Sequence, residues 1–288
     1  MAWRPPATLT SLARRRPLLA YTALTFAISW GGILTVLIAG NFDLSAPGPG
    51  ELGVISVLML LGPSVAGLTL IALSDGRAGL RQLWSRCIRW RVSGGWYLVA
   101  VLTAPLLLAL PLSIGALVSP AFAPRFQWAL FAAGIVAGGF EEIGWTGWAT
   151  PRLLARARVG RAGLWLGLIW SIWHLLVDFR YNIAAMGMVW PLEFAVVYLA
   201  TLTPYRMLMT WVYRGTGSVL LAVLMHASYT GWLLVLFPAT SLSQSLYWQT
   251  AFAMMLWCVV GLALRISSAR VAVDDLARNR AVDHPATR

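Results

Sequence analysis

The chain has no lysine, two cysteines, three histidines and ten acidic residues among 288 positions. Each scarcity excludes something. Cys87 and Cys258 stand far apart, on what the arginine distribution predicts to be the reducing, cytoplasmic side, so a structural disulfide is not expected. Nor can two such thiols build a thiolate metal site. With 11% charged residues the chain falls far below the roughly 25% that a soluble domain uses to cover its surface. No repeat unit or low-complexity tract divides it. Several protease signatures are also missing. The sequence contains no H-E-x-x-H or H-x-x-E-H zinc motif, no G-x-S-G of a serine intramembrane protease, and no G-x-G-D of an aspartyl one.

What is present is apolar length. Hydrophobic residues make up 59% of the chain. In lipid every backbone polar group must be paired inside its own segment or within a closed barrel. Barrel strands alternate over about ten residues, whereas continuous apolar runs of about 20 denote helices. About eight such runs occur, near 18–40, 52–73, 96–118, 127–149, 162–179, 190–213, 216–237 and 247–265. The expected fold class is all-α, a polytopic transmembrane helical bundle. A basic N-terminal segment (1–17) precedes a membrane domain (18–265), and a polar tail (266–288) comes after it. The arginines before the first run resemble the start of a signal peptide. That run is too long and lacks a small-residue cleavage site, so it reads as a retained helix.

The formal charge of +12 would suit nucleic acid if it were clustered on one surface, but it alternates between connections. Arg4, Arg14, Arg15 and Arg16 precede the first span; Arg77, Arg81, Arg86, Arg89 and Arg91 follow the second. Arg152, Arg156, Arg158 and Arg161 follow the fourth, Arg214 the sixth, and Arg265, Arg270, Arg278 and Arg280 the eighth. The intervening connections hold only Arg125 and Arg180, with Asp43 and Glu51. The positive-inside rule then predicts both termini in the cytoplasm. The charge is a topology signal with some attraction to anionic lipid, and the bilayer, not nucleic acid, is the expected partner.

Against this background Glu141 and Glu142 stand out, because a carboxylate in mid-membrane costs at least about 2.5–3.5 kcal/mol on insertion scales. Neighbouring helix positions differ by about 100°, so one glutamate should face a reacting centre and the other support it. His174 and His226 lie in two later spans. Trp170, His174 and Asp178 are spaced at i, i+4 and i+8 and are expected on one helix face, as are His226 and Thr230. At 1.5 Å per residue, Glu141 sits about 10–15 Å, His174 about 18 Å and His226 about 15 Å from the cytoplasmic helix ends. Three helices thus bring polar groups to one depth, which points to one site. The bland alternatives are interhelical hydrogen bonding for the histidines, an end cap for Asp178 and an interfacial charge for Glu193. Trp145 and Trp148 could line the cavity. Gly134, Gly138, Gly144 and Gly147 predict close helix packing around it. His284, in the tail, has no evident role.

Glu141-Glu142 followed by Trp-x-Gly-Trp, then Trp170-x-x-x-His174, then His226-x-x-x-Thr230, resembles the CPBP intramembrane proteases. That family comprises the CAAX prenyl endopeptidases and bacteriocin-processing or immunity proteins. The resemblance spans roughly residues 127–237. It implies a multi-pass endopeptidase of a cell membrane, bacterial in this case, acting on a peptide or protein, including lipid-linked ones. Glu141 and His174 would activate water, His226 would stabilise the oxyanion, and Glu142 would organise the site, with Thr230, Thr146, Trp170 and Asp178 supporting. No cofactor is required by this scheme, although Glu141, His174 and His226 could instead hold a zinc ion with water in the fourth position. Two positions depart from the family pattern. Thr146 stands where arginine is usual, four residues after the second glutamate, leaving Arg206 as a candidate counter-charge. Thr230 stands where Asn or Asp is usual. These departures motivate the alternative of a catalytically inactive immunity or scaffold protein of the same fold. An ion-coupled transporter using the same carboxylates is a third reading, without the inverted repeat many transporters carry.

Overall fold

The computed structural model describes residues 15–45 and 47–283, with side chains to residue 268. His284 and the arginines before Arg15 lie outside them. Among the described residues the chain is a bundle of α-helices without strands, as the continuous apolar runs predict. Helix α1 spans Pro17–Ala39, α2 Pro49–Ser74, α3 Gly76–Cys87 and α4 Gly94–Val118. Helix α5 spans Phe131–Gly144, α6 Thr150–Leu154, α7 Val159–Trp173 and α8 Leu175–Met186. Helix α9 spans Trp190–Phe194, α10 Ala200–Thr216, α11 Val219–Val235 and α12 Leu242–Asp283.

Local chemistry sets several of these limits. Proline opens α1 and α2, where its missing N–H would have had no helical partner. Helix α10 stops at Gly217, which takes the left-handed conformation at φ +63°. Ser218 then caps α11 by accepting from the Leu221 N–H at 3.2 Å. Helix α3 is short and amphipathic: Leu83 is buried while Arg77 and Arg81 face outward. Ion pairs staple the two ends of the bundle. Asp75 holds Arg152 of α6, and at the other end Arg180 of α8 grips Glu51 of α2 through bonds of 2.8 and 2.9 Å.

Five stretches are long and apolar enough to cross a membrane: Pro17–Ala39, Pro49–Ser74, Gly94–Val118, Leu175–Thr216 and Leu242–Ser268. Their outer faces carry exposed leucines and isoleucines, such as Leu98, Leu102, Leu106, Leu110 and Ile114 along α4, the surface lipid would cover. The expected spans at 127–149, 162–179 and 190–213 are each built from shorter pieces. A π-helical turn at Trp145–Ala149 separates α5 from α6, another at Ala195–Leu199 separates α9 from α10, and a single turn at His174 separates α7 from α8. Helix α5 lies in the middle, packed on α11 and α2, while α7 packs on α10. The broken stretches carry Glu141, Glu142, His174 and Arg206, while His226 lies on the unbroken α11.

Candidate functional site

Helix α5 can approach its neighbours closely because of its glycines. A Cβ at Gly138 would lie 2.8 Å from the Val223 carbonyl oxygen of α11, and one at Gly134 would lie 2.4 Å from the Gly231 nitrogen. Gly144 likewise lets α5 press against the Pro63 carbonyl of α2, and Gly147 accommodates Leu83. All four have the packing role expected of them. The result is that the last turn of α5, with Glu141 and Glu142, faces His226 of α11 at short range.

Glu142 has no exposed surface, and neither does Arg206. The two form a bidentate pair, Nη1 to Oε2 at 2.8 Å and Nη2 to Oε1 at 2.9 Å. Thr146, one turn on, donates its hydroxyl to Oε2 of the same carboxylate. His226 Nδ1 is 2.7 Å from Oε1. Such a charge-assisted, two-pronged bond fixes a carboxylate in orientation as well as position. Arg206 also lies over the Trp170 ring, its guanidinium carbon 4.1 Å from the centroid. Arg206 therefore stands as counter-charge to Glu142, from a different helix than the family pattern would use.

Glu141 is 4% exposed and accepts the indole N–H of Trp170 at 2.9 Å. Its Oε1 lies 3.9 Å from His226 Nε2, beyond direct hydrogen-bond range. His226 thus sits between the two glutamates, with Nδ1 on Glu142 and Nε2 facing Glu141. Trp170 ties in His174: its carbonyl oxygen is 2.8 Å from His174 Nδ1, and its ring meets both imidazoles edge-on, at 5.6 Å for His174 and 5.3 Å for His226. With Nδ1 donating to the Trp170 carbonyl, neutral His174 keeps the Nε2 lone pair free.

The helix break at His174 has compensated carbonyls. Trp30 of α1 donates its indole N–H to the Trp173 carbonyl at 2.9 Å, and the His174 N–H turns to Ser171 at 3.1 Å. At the π turn after α5, Thr150 donates to the Trp145 carbonyl at 2.8 Å and Arg86 to that of Gly147 at 3.0 Å. Single π turns recur at functional sites because they shift the register of the next helical segment.

The structure therefore gathers Glu141, Glu142, Thr146, Trp170 and His226, adds Arg206, and joins His174 through Trp170. Two supporting residues fall elsewhere. Asp178 lies beyond the break at His174 and is held by Asn182 and Trp190. Thr230 is half-buried and makes no side-chain hydrogen bond among the described residues. Trp145 packs on Tyr21 and Trp173, and Trp148 lies under Arg152; both are buried in packing. Tyr198, whose ring lies 5.1 Å from that of His174, is a neighbour with no signal in the spacing of the motifs.

The two imidazoles each have Nδ1 engaged, His226 on Glu142 and His174 on the Trp170 carbonyl, which leaves Nε2 as the atom either would offer to a ligand. Among the described residues no three His, Cys, Asp or Glu side chains are grouped for a metal.

Residues 123–232 match the model of the family described as Type II CAAX prenyl endopeptidase Rce1-like. The chain is also similar to CAAX prenyl protease 2 of Methanococcus maripaludis, with 30% identity over 98 residues. That match covers 32% of this chain and 35% of the archaeal protein, so it spans about a third of the relative's length. The family match takes in less than half of the chain, and the matched segment contains every residue of the polar cluster.

Proposed function

We propose that the chain is an intramembrane endopeptidase that hydrolyses a peptide bond by glutamate-activated water, without a metal. The observation that carries this reading is the placement of His226. One imidazole reaches the arginine-held Glu142 at 2.7 Å and faces Glu141 across 3.9 Å, a gap suited to a water or a substrate oxygen. Glu141 takes a proton from water as the water oxygen bonds to the scissile carbonyl carbon. His174 orients that water through its free Nε2. The oxyanion that forms is met by the Nε2–H of His226, whose ring Glu142 holds from behind through Nδ1; such a donor is worth about 3 kcal/mol. Collapse breaks the C–N bond, and the proton held by Glu141 passes to the leaving nitrogen.

The buried site and the apolar belt suit a membrane-associated peptide, and the relative's name makes a prenylated C-terminal peptide the first substrate to assay. The test uses the purified chain in nanodiscs with a fluorogenic peptide, prenylated or bare, against Glu141→Gln. Wild type is expected to cleave the prenylated form, and the Gln variant to lose at least about 100-fold while remaining folded. Equal rates for the two proteins would remove Glu141 from the base's role.

A further inference from the structure

The segment that follows Glu141 and Glu142 runs out to the surface of the bundle. Past the π turn Trp145–Ala149 the chain enters α6 and then a connection that holds Arg156. Pro17 and Leu18, at the start of α1, join Trp148, Arg152, Leu153 and Arg156 in lining a pocket of about 180 Å³. The pocket lies where the apolar run of α1 begins, the level at which a span leaves hydrocarbon for headgroups. The arginine distribution predicts this end of the bundle to be cytoplasmic.

Its walls are of two kinds. Pro17, Leu18 and Leu153 are apolar, and Arg152 and Arg156 are cationic. Arg152 bonds to Asp75 and to the Trp148 carbonyl at 3.3 Å, with its guanidinium over the Trp148 ring. Arg156 is exposed and makes no side-chain hydrogen bond or ion pair among the described residues. Arg15 and Arg16, next to Pro17, are exposed and unpaired in the same sense. Asp75 therefore neutralises one of these four guanidiniums and leaves three. Trp148 adds a second sign of a ligand: its side chain is 1% exposed, and its buried indole N–H has no acceptor among the described residues. A buried donor without an acceptor is costly, and a phosphate oxygen is an acceptor. Basic pockets between membrane helices suit anionic headgroups. A free anion would use the arginines but leave the apolar wall without a partner. A phospholipid uses both, with its phosphate on the arginines and its acyl chains along α1, where Leu19 is exposed.

We propose that this pocket is a site for one anionic phospholipid, whose headgroup braces the π turn that brings Thr146 to Glu142. Arg152 and Arg86 bond to the Trp148 and Gly147 carbonyls within that turn, and Thr146 of the same turn donates to Glu142. A phosphate held by Arg152 and Arg156 ties α6 to the start of α1 and keeps the turn in register. The consequence for cleavage rests on the hydrolytic function proposed above; the binding does not.

Native mass spectrometry of the full chain, released from nanodiscs of mixed phosphatidylglycerol and phosphatidylcholine, reads the binding. Wild type is expected to retain one phosphatidylglycerol in preference to phosphatidylcholine. Arg156→Gln, at an exposed position with no partner to strand, is expected to weaken that retention about fivefold, and Arg152→Gln at least as much. Arg81→Gln, at an exposed arginine of α3 outside the pocket, is expected to change nothing. Amide hydrogen exchange over residues 145–154 reads the bracing. It is expected to be slower with phosphatidylglycerol than in pure phosphatidylcholine for wild type, and the same in both lipids for Arg156→Gln. Equal retention by wild type and the Arg156 variant would overturn the site, as would equal losses in the Arg81 and Arg156 variants, which denote general surface charge. Wild-type exchange that ignores the lipid would overturn the bracing. Inorganic phosphate that protects the segment as well as phosphatidylglycerol does would overturn the choice of a lipid. In the peptide assay wild type is expected to cleave several-fold faster with phosphatidylglycerol, and the Arg156 variant to show no such gain. A wild-type protein that cleaves nothing in either lipid would count against the protease reading and leave retention and exchange to decide the lipid site.

Discussion

A glutamate with no exposed atom needs a counter-charge, and in this chain it comes from Arg206 on α10 and not from the residue one turn along on its own helix. Thr146 occupies that place and contributes only a hydroxyl. Removing one partner of a buried ion pair strands the other, at a cost of about 3–5 kcal/mol. Arg206→Met is therefore expected to lower stability by that amount in detergent unfolding. Thr146→Arg in the same background restores a counter-charge at i+4 from Glu142 and is expected to recover most of the loss. A Met variant as stable as wild type would show that Glu142 is neutral in the native state and that the pair is not what holds it. Arg206 was legible in the sequence as a candidate counter-charge for Glu142, an arginine inside an apolar run, and the structure pairs the two; the two-pronged geometry was not legible, because it depends on how α10 is rotated against α5. Trp170 was legible as a motif residue, but its service to two sites at once, ring N–H to Glu141 and carbonyl to His174, was not.

At the scale of elements, the helices that matter are held at backbone contact by small residues. The α5–α11 contact sets the distance from the glutamates to His226. Gly138→Val places a side chain where Val223 and Ala227 backbone atoms already sit at 2.8 and 3.0 Å from the would-be Cβ, so the helices must separate. Overpacking of this kind costs typically about 1–3 kcal/mol, and activity is expected to fall much further than stability, because Glu141 and His226 move apart. An active Gly138→Val enzyme would mean that this spacing is not what catalysis depends on. The four glycines were legible as a packing surface. The interruptions were not. Composition shows an apolar run through residues 162–179, yet the chain bends at His174, and the i, i+4, i+8 face expected for Trp170, His174 and Asp178 ends there. Hydropathy cannot detect the π turns at Trp145–Ala149 and Ala195–Leu199 either, since they change register without changing polarity. Tyr198 escaped notice for that reason, and Glu193, read as an interfacial charge, is buried.

At the scale of the whole molecule, apolar run length and arginine placement made the helical membrane bundle legible, because the cost of unpaired backbone in lipid leaves few alternatives. Rise per residue brought Glu141, His174 and His226 to one depth in the sequence; the structure sets Glu141 and His226 3.9 Å apart and joins His174 through Trp170. What the sequence could not convey is which charges neutralise one another across helices, and that is where the site's chemistry is decided. Sealed inside a bundle with an apolar exterior, the cluster makes sense as a hydrolytic centre only if some membrane-bound peptide is cut by it. New protein N-termini in membranes of cells expressing wild type, compared with cells expressing Glu141→Gln at matched levels, test that claim most directly. Termini that arise with wild type and are missing with the variant are expected, and these would name the substrate. Identical sets of termini from two inserted, abundant proteins would contradict it and leave a bundle of the same fold without the chemistry.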